Sequence, residues 1–172
     1  MSEELPTLID PQYLALQGSR LQGKISLARL VRLHDSLSKI GQNDAVYIDW
    51  LFANDAQNRP TINGYTQIQL PLVCQRCLQT MLLPLKTEIA LLFLTNNVKE
   101  NDLPNDYEVF TLASVPISLI TLVEDELILA LPIVTVHEKC SLNEHLLPND
   151  FALNYTVQKN NPFHVLEKLK TK

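Results

Sequence analysis

Residues 117–140, ISLITLVEDELILALPIVTVHEKC, show the clearest pattern of apolar and polar positions in the chain. From residue 119 to residue 131 the apolar side chains recur at the spacing of one broad helical face. Ser118 is a favourable N-cap, and Pro132 cannot continue a helix. The pattern therefore predicts a buried helix over 119–131, followed by a short strand in the β-branched residues 133–136, IVTV.

Three consecutive acidic residues interrupt this apolar segment. At about 100° per residue, Glu124 and Asp125 are expected on the polar side of the helix, and Glu126 inside the apolar arc. A buried carboxylate without a partner is costly, so Glu126 should either meet a cation or lie at the rim of the core. Arg76 is the candidate cation.

Between residues 44 and 95 the period changes to two, which is typical of strands. Three such segments, VYIDWLFA, YTQIQLPLVC and MLLPLKTEIALLFL, are separated by turn signals and predict an antiparallel meander. The CQRC sequence, residues 74–77, would lie at a hairpin tip. Pro71 and Pro84 lack the amide hydrogen of a central ladder, so their strands should be edges or carry bulges there.

A further helix is expected over residues 27–40, between a cap at Ser26 and a stop at Gly41. Its apolar residues would share one side. The polar side would then carry Arg29, Arg32, Ser36 and Lys39.

The remaining segments complete the expected organisation. Residues 1–19 are predicted to form an extended N-terminal arm. Residues 96–106 are predicted to form an exposed loop, followed by the short strand YEVFTL, and residues 141–160 a loose segment. A C-terminal helix is expected over 162–170. We therefore expect a single α+β domain over 1–172, in which an antiparallel β-sheet is covered by the central helix and flanked by N- and C-terminal helices.

Composition narrows the class of protein. The chain has 172 residues, 46% hydrophobic and 19% charged, which suits a globular core. No apolar run is long enough to cross a bilayer and no signal peptide is recognisable, so a cytoplasmic protein without a membrane partner is expected. The net charge of −5 opposes binding of nucleic acid over the whole surface. Between residues 20 and 34, however, every charge is positive, so any contact with RNA should be local.

The cysteines suggest a metal centre. Cys74 and Cys77 offer two thiolates from one turn, and His137 and Cys140 offer an imidazole and a third thiolate from another. Three cysteines and one histidine are a ligand set of closed, structural zinc sites. The other interpretation is that three small, semi-buried thiols only pack.

Enzyme signatures are weak. A redox role for Cys74 and Cys77 would normally require a helix start that lowers a thiol pKa, whereas strand-like sequence flanks this turn. No phosphate-binding glycine loop, nucleophile elbow or zinc-protease motif is present, and no small-molecule substrate is evident. His34 falls on the apolar side of its expected helix, as a structural histidine would. The chain is therefore predicted not to be an enzyme.

Several segments together resemble the bacterial YceD family, the large ribosomal RNA subunit accumulation proteins. The resemblance is carried, in order, by IDPQYLALQGSRLQGKISLARLVRL, LVCQRCL, VEDELILALPIV followed by VH, and NPFHVLEKLK. It implies a cytoplasmic, non-catalytic factor that supports synthesis, processing or stability of large-subunit (23S) ribosomal RNA. Many members carry a richer cysteine cluster where this chain has HEKC.

With that resemblance, the expected partner is large-subunit rRNA or a pre-ribosomal particle, contacted directly or through a protein. The candidate contact residues are Lys24, Arg29, Arg32 and Lys39, with Lys168, Lys170 and Lys172 as auxiliaries. Two alternatives remain: an adaptor that binds a ribosomal protein or nuclease through the acidic segments 96–108 and 141–150, and a CxxC thiol enzyme.

Overall fold

The computed structural model of the chain describes residues 5–39, 41, 44–94 and 106–142. Its regular elements, in chain order, are β1 (Leu8–Ile9), α1 (Pro11–Leu16), β2 (Arg20–Ser26), two 3-10 helices (Leu27–Arg29 and Val31–Ser36), β3 (Ala45–Asn54), β4 (Pro60–Val73), β5 (Thr80–Leu94), β6 (Glu108–Thr111), β7 (Ile117–Ser118) and α2 (Leu119–Ala130).

The main sheet has five strands in the order β2-β3-β4-β5-β6. The first four strands are antiparallel neighbours, whereas β6 pairs parallel to β5. The predicted meander is confirmed as β3, β4 and β5, and the predicted strand near residue 108 is β6. The sheet is mixed and not purely antiparallel, and the sequence did not predict β2. The described part of the chain is thus an α+β fold built mostly of strands.

The two prolines lie where the sheet narrows to two strands. Strand β3 pairs with β4 from Pro60 to Gln67, and beyond Gln67 the recorded partner of β4 is β5. Pro71 and Pro84 both fall in this ribbon, opposite Leu82 and Gln69. The prediction that these strands behave as edges at the prolines is confirmed.

Helix α2 begins and ends within one residue of its predicted bounds. The hydroxyl of Ser118 accepts a hydrogen bond from the amide of Thr121 at 3.2 Å, as an N-cap does. The helix buries its apolar face in the core shared with the sheet. The expected orientation of Glu124 is wrong, however, because this residue is only 5% exposed. Leu129, which the apolar pattern placed on the buried face, is 75% exposed.

The strand predicted after Pro132 is also wrong. Residues 133–136 have no regular secondary structure, and Ile133 is 95% exposed. A β-branched composition favours strands only where a neighbouring strand is available to pair, and this segment instead crosses the end of a hairpin.

The predicted helix over 27–40 is replaced by two short 3-10 helices. Leu27, Leu30 and Leu33 are fully buried, at a spacing of three residues. Leu27 belongs to the first 3-10 helix, Leu33 belongs to the second, and Leu30 lies between the two. A spacing of three residues matches the turn of a 3-10 helix. Ser26 forms no side-chain cap, and Val31, expected to be buried, is 66% exposed.

The N-terminal arm is more ordered than predicted. Asp10 caps α1 because its Oδ1 accepts from the amides of Gln12 and Tyr13, at 3.0 and 3.1 Å, and Pro11 occupies the first helical position. The predicted C-terminal helix, nearly all of the 96–106 loop and most of the 141–160 segment lie outside the described residues. The single-domain organisation stays a prediction.

Candidate metal centre

The tip of the β4–β5 hairpin supplies two of the sulfur atoms. Cys74 follows β4, and its amide donates to the carbonyl of Gln79 at 2.9 Å, while the amide of Leu78 donates to the carbonyl of Cys74 at 2.8 Å. Leu78 adopts a left-handed backbone conformation with φ of 60°, which is unusual for a residue with a branched side chain. This tight turn holds the thiols of Cys74 and Cys77 close together.

The segment that follows α2 is hydrogen-bonded across this tip. The carbonyl of Thr135 accepts from the amide of Gln75 at 2.8 Å, and the hydroxyl of Thr135 donates to the carbonyl of Val73 at 2.8 Å. The side chain of Gln75 also donates to the carbonyl of Ile133 at 3.2 Å. These bonds bring His137 and Cys140 next to the hairpin.

The four candidate ligands form one cluster, in which the ligand atoms of Cys74, Cys77, His137 and Cys140 lie within 4.8 Å of one another. The Sγ atoms of Cys74 and Cys140 are 3.7 Å apart, and Sγ of Cys77 lies 3.3 Å from Nδ1 of His137. None of Cys74, Cys77 and Cys140 takes part in a disulfide. The structure thus unites the two pairs that are about sixty positions apart in sequence, and the cluster could hold a metal ion.

The surroundings favour the thiolate form of Cys74. Burial raises the pKa of this thiol, but the backbone amides of Cys77, His137 and Arg76 donate to the sulfur and lower its pKa to about 5. The amide of Gln79 lowers the pKa of Cys77. Burial and the neighbouring thiols of Cys74 and Cys140 raise this pKa by more, so it lies above its ordinary value. One thiol of the C-x-x-C pair is therefore easily deprotonated, as a metal ligand must be.

Arg76 joins the two halves of the cluster. Its Nε donates to Sγ of Cys140 at 2.9 Å, and its Nη2 donates to the carbonyl of His137 at 2.6 Å. The hydrogen bond to Cys140 raises the pKa of the guanidinium further above its usual value. The predicted pairing of Arg76 with Glu126 is therefore wrong. The role of Arg76 was missed because the sequence does not say which side chains lie near the turn.

Glu126 instead lines a cavity of about 410 Å³ together with Glu88, Asp106 and Glu108. Burial raises the pKa of Glu126 to about 7, and the charges of Glu108 and Asp125 add to this effect. Among the residues recorded as lining this cavity, none carries a positive charge. The sequence-based alternative of a carboxyl group at the rim of the core describes Glu126 better than a buried ion pair.

The four candidate RNA-contacting residues that the structure describes are exposed but do not form one helical stripe. The auxiliary lysines Lys168, Lys170 and Lys172 lie outside the described residues. Lys24 lies on β2, Arg29 and Arg32 lie in successive 3-10 helices, and Lys39 follows them. Arg32 is engaged, because its guanidinium pairs with Asp125 and its amide donates to Oε1 of Glu124 at 2.9 Å. Their role in binding stays a prediction.

His34 is partly buried, and its Nε2 lies 3.3 Å from the carbonyl of Leu27. This contact is that of a structural histidine, as its position in the sequence indicated. Within the ranges that the structure describes, no helix combines the length and the apolar character needed to span a membrane.

The fold and the cluster define a small α+β protein with a thiol and imidazole centre at the end of its sheet. The family model described as "Large ribosomal RNA subunit accumulation protein YceD" matches residues 62–170, which include all four cluster residues. A protein of Haemophilus influenzae named "Large ribosomal RNA subunit accumulation protein YceD" is 33% identical over 177 residues, covering 98% of each chain. The chain therefore belongs to the YceD family. No solved structure matches it.

Proposed function

We propose that this protein supports the accumulation of large-subunit ribosomal RNA, as a non-catalytic cytoplasmic factor that acts on the RNA or on a pre-ribosomal particle. The observation that carries this proposal is the likeness to the Haemophilus protein of that name, which extends over 98% of both chains. The matched region therefore spans the segments of this chain that form the sheet, the central helix and the thiol cluster.

A non-catalytic role agrees with the state of the reactive thiol. Cys74 has the lowered pKa of a nucleophile, which is the one observation in favour of a thiol enzyme. Its side chain is nevertheless fully buried, with Sγ against Cys140 and the amide of His137. Because disulfide exchange requires access to the attacking sulfur, this geometry favours a ligand over a catalyst.

For the cluster we propose a structural zinc ion held by Cys74, Cys77, His137 and Cys140. In a tetrahedron with Zn–S bonds of about 2.3 Å, two sulfur ligands are about 3.8 Å apart, close to the 3.7 Å between Cys74 and Cys140. Zinc with three thiolates carries one negative charge, which the guanidinium of Arg76 would balance. The ion would fasten the segment after α2 to the hairpin tip and leave no open position for a substrate.

For the contact with RNA or its particle we propose the exposed cations Lys24, Arg29 and Lys39, with a smaller part for Arg32. Lys24, Arg29 and Arg32 lie within residues 20–34, where every charge is positive, and Lys39 follows shortly after. The guanidinium of Arg32 already pairs with Asp125, so it offers less charge to a phosphate than Arg29 does.

The test is the ratio of large- to small-subunit ribosomal RNA in cells that lack this protein, with precursor bands read from the same gel. We expect a lowered ratio that the intact gene restores and that a gene with Arg29→Glu and Arg32→Glu does not. A matched control changes two exposed glutamines, Gln12 in α1 and Gln17 directly after it, to Glu and should restore the ratio. An unchanged ratio in the deletion strain would refute the proposed function.

An adaptor function is the second candidate, favoured by the four carboxyl groups around the cavity at Glu126. Such a surface suits a basic ribosomal protein better than RNA. Direct binding of RNA should weaken steeply with added salt, in proportion to the phosphates contacted. Unaltered association with the pre-ribosomal particle after Arg29→Glu and Arg32→Glu would favour the adaptor.

A further inference from the structure

The sheet face turned away from the main core carries an ordered array of polar and aromatic side chains. Alternate residues of β3, Val46, Ile48 and Trp50, are fully buried on the core side. Tyr47 and Asp49 therefore point to the other side, because successive strand residues face opposite ways.

Cross-strand pairing arranges this second face in rows. Opposite Tyr47 lie Lys24 of β2 on one side and Gln67 of β4 on the other, and Gln67 is in turn opposite Lys86 of β5. The adjacent row is Gln22, Asp49, Tyr65 and Glu88. We call the six residues Gln22, Lys24, Tyr47, Tyr65, Gln67 and Lys86 the tyrosine face.

The two aromatic rings are held in place by their neighbours. The ring centroids of Tyr47 and Tyr65 are 5.9 Å apart at an interplanar angle of 41°. Nζ of Lys86 lies 4.5 Å from the centroid of Tyr65, a cation–π contact, and the side-chain amide of Gln22 donates to the hydroxyl of Tyr47. The rings are therefore oriented before any ligand binds.

The charges on this face favour an anion. Asp49 would repel phosphate, but Arg20 forms two hydrogen bonds to it, at 2.6 and 2.7 Å, and the positive charge of Arg20 offsets the negative charge of the carboxylate. The side chain of Arg20 is still 61% exposed. Lys24, Gln67 and Lys86 are exposed, and the tyrosines are partly so. Glu88 is the one carboxylate in the two rows without this compensation.

These groups match the needs of single-stranded RNA. Unpaired bases stack on aromatic rings, amide side chains bond to base edges, and lysines neutralise the adjacent phosphates. A duplex hides its base faces and would leave the tyrosines unused. We propose that the tyrosine face binds a single-stranded segment of RNA, with Tyr47 and Tyr65 as the stacking residues. This inference rests on the proposed function and names its RNA-contacting surface, to which Lys24 also belongs.

The experiment measures binding of a fluorescein-labelled oligouridylate of about 12 nucleotides to the full-length protein by fluorescence anisotropy at low salt. We expect Tyr47→Ala and Tyr65→Ala each to raise Kd by about tenfold, because stacking is lost. Tyr47→Phe and Tyr65→Phe keep the ring and should stay within about twofold of the wild-type Kd. Lys86→Gln should raise Kd and reduce its salt dependence.

Tyr13→Ala is the matched control, because Tyr13 is an exposed tyrosine, 58% accessible, on α1 and outside the face. Its Kd should equal that of the wild type. Thermal melting shows which variants are folded, and Lys86→Gln tests the face without altering a partly buried ring.

Three results would overturn the inference: wild-type protein that does not bind the oligonucleotide at low salt, folded alanine variants that bind as well as the wild type, or preferential binding of duplex RNA of the same length. The ribosomal RNA ratio in deletion cells is measured independently. A lowered ratio together with no binding of RNA would therefore refute the tyrosine face, leave the proposed function standing and indicate a protein partner.

Discussion

The guanidinium of Arg76 donates to Sγ of Cys140, 64 positions away in sequence, at 2.9 Å, and to the carbonyl of His137 at 2.6 Å. One side chain from the hairpin tip thus orients a candidate ligand and the backbone of the other half of the cluster. Groups that hold metal ligands in position commonly contribute to metal affinity without contacting the ion.

Replacing Arg76 by Met should weaken zinc binding by about 10- to 100-fold, because Cys140 loses its donor and the thiolates lose the compensating charge. The zinc affinity of Arg76→Lys should lie between those of the wild type and Arg76→Met, since lysine keeps the charge but not the paired hydrogen bonds. Competition with a chromogenic chelator gives the affinities. Arg29→Gln is the control, because Arg29 is an exposed arginine outside the cluster. Equal affinities for wild type and Arg76→Met would contradict the role given to Arg76.

Purified protein should contain about one zinc ion per chain, measured by elemental analysis, and Cys77→Ser should lose it because a closed site requires all four ligands. His34→Gln is the control, since His34 is partly buried but is not in the cluster. Removal of the ion by a chelator should increase hydrogen exchange at Gln75, whose amide bonds to Thr135. Folded, metal-free protein that does not respond to chelator would refute the zinc site.

Glu124 should contribute to stability through its contact with Arg32. The carboxylate is 5% exposed and accepts from the amide of Arg32. Glu124→Ala would remove the acceptor and should lower the free energy of unfolding by about 1–3 kcal/mol. Asp125→Asn, which weakens only the more exposed pair with the Arg32 side chain, should cost about 0–1 kcal/mol. Urea denaturation measures both values, and the reverse order would contradict this assignment.

Stability should depend on pH through Glu126, whose pKa of about 7 lies above the ordinary 4.5. Between these values the folded chain binds more protons than the unfolded chain, so the free energy of unfolding falls as pH rises. Glu126→Gln removes the titrating group, so the free energy of unfolding of the variant lacks this decrease at high pH. We expect the variant to be more stable than wild type by on the order of 1 kcal/mol at pH 8, allowing for solvent screening of a partly exposed group, and not below pH 4.

Urea denaturation at the two pH values measures the difference. Glu108 and Asp125 raise the pKa of Glu126, and Glu88 and Asp106 line the same cavity. All four carboxyl groups are present in both wild type and variant. A difference that is equal at both pH values would show that burial of Glu126 does not cause the effect.

Elements whose signal is local were predictable from the sequence. Helix α2 was located to within one residue because Ser118 and Pro132 bound an apolar period, and the CQRC hairpin followed from alternation on both sides of the turn. Asp10-Pro11 is an equally local helix start and was overlooked, although the cap and the proline are both in the sequence.

The segment 27–36 and the acids of α2 were not predictable in this way. Leucines spaced by three residues fit an α-helix as well as a 3-10 helix, and the core decided between them. Glu124 became buried, and Glu126 only partly so, because the amide of Arg32 lies against the helix at Glu124. The position of a neighbouring element is not contained in the period of the helix itself.

For the thiol cluster, the sequence by itself determined the ligand types and the two short spacings, C-x-x-C and H-x-x-C. Only the tertiary structure decided that the two pairs meet, because hydrogen bonds from Gln75 and Thr135 hold the segment after α2 against the hairpin tip. It also decided that Arg76 faces Cys140, and that Tyr47 and Tyr65 share one face. Those contacts depend on strand register and on chain packing. Both are fixed jointly by residues that are distant in sequence.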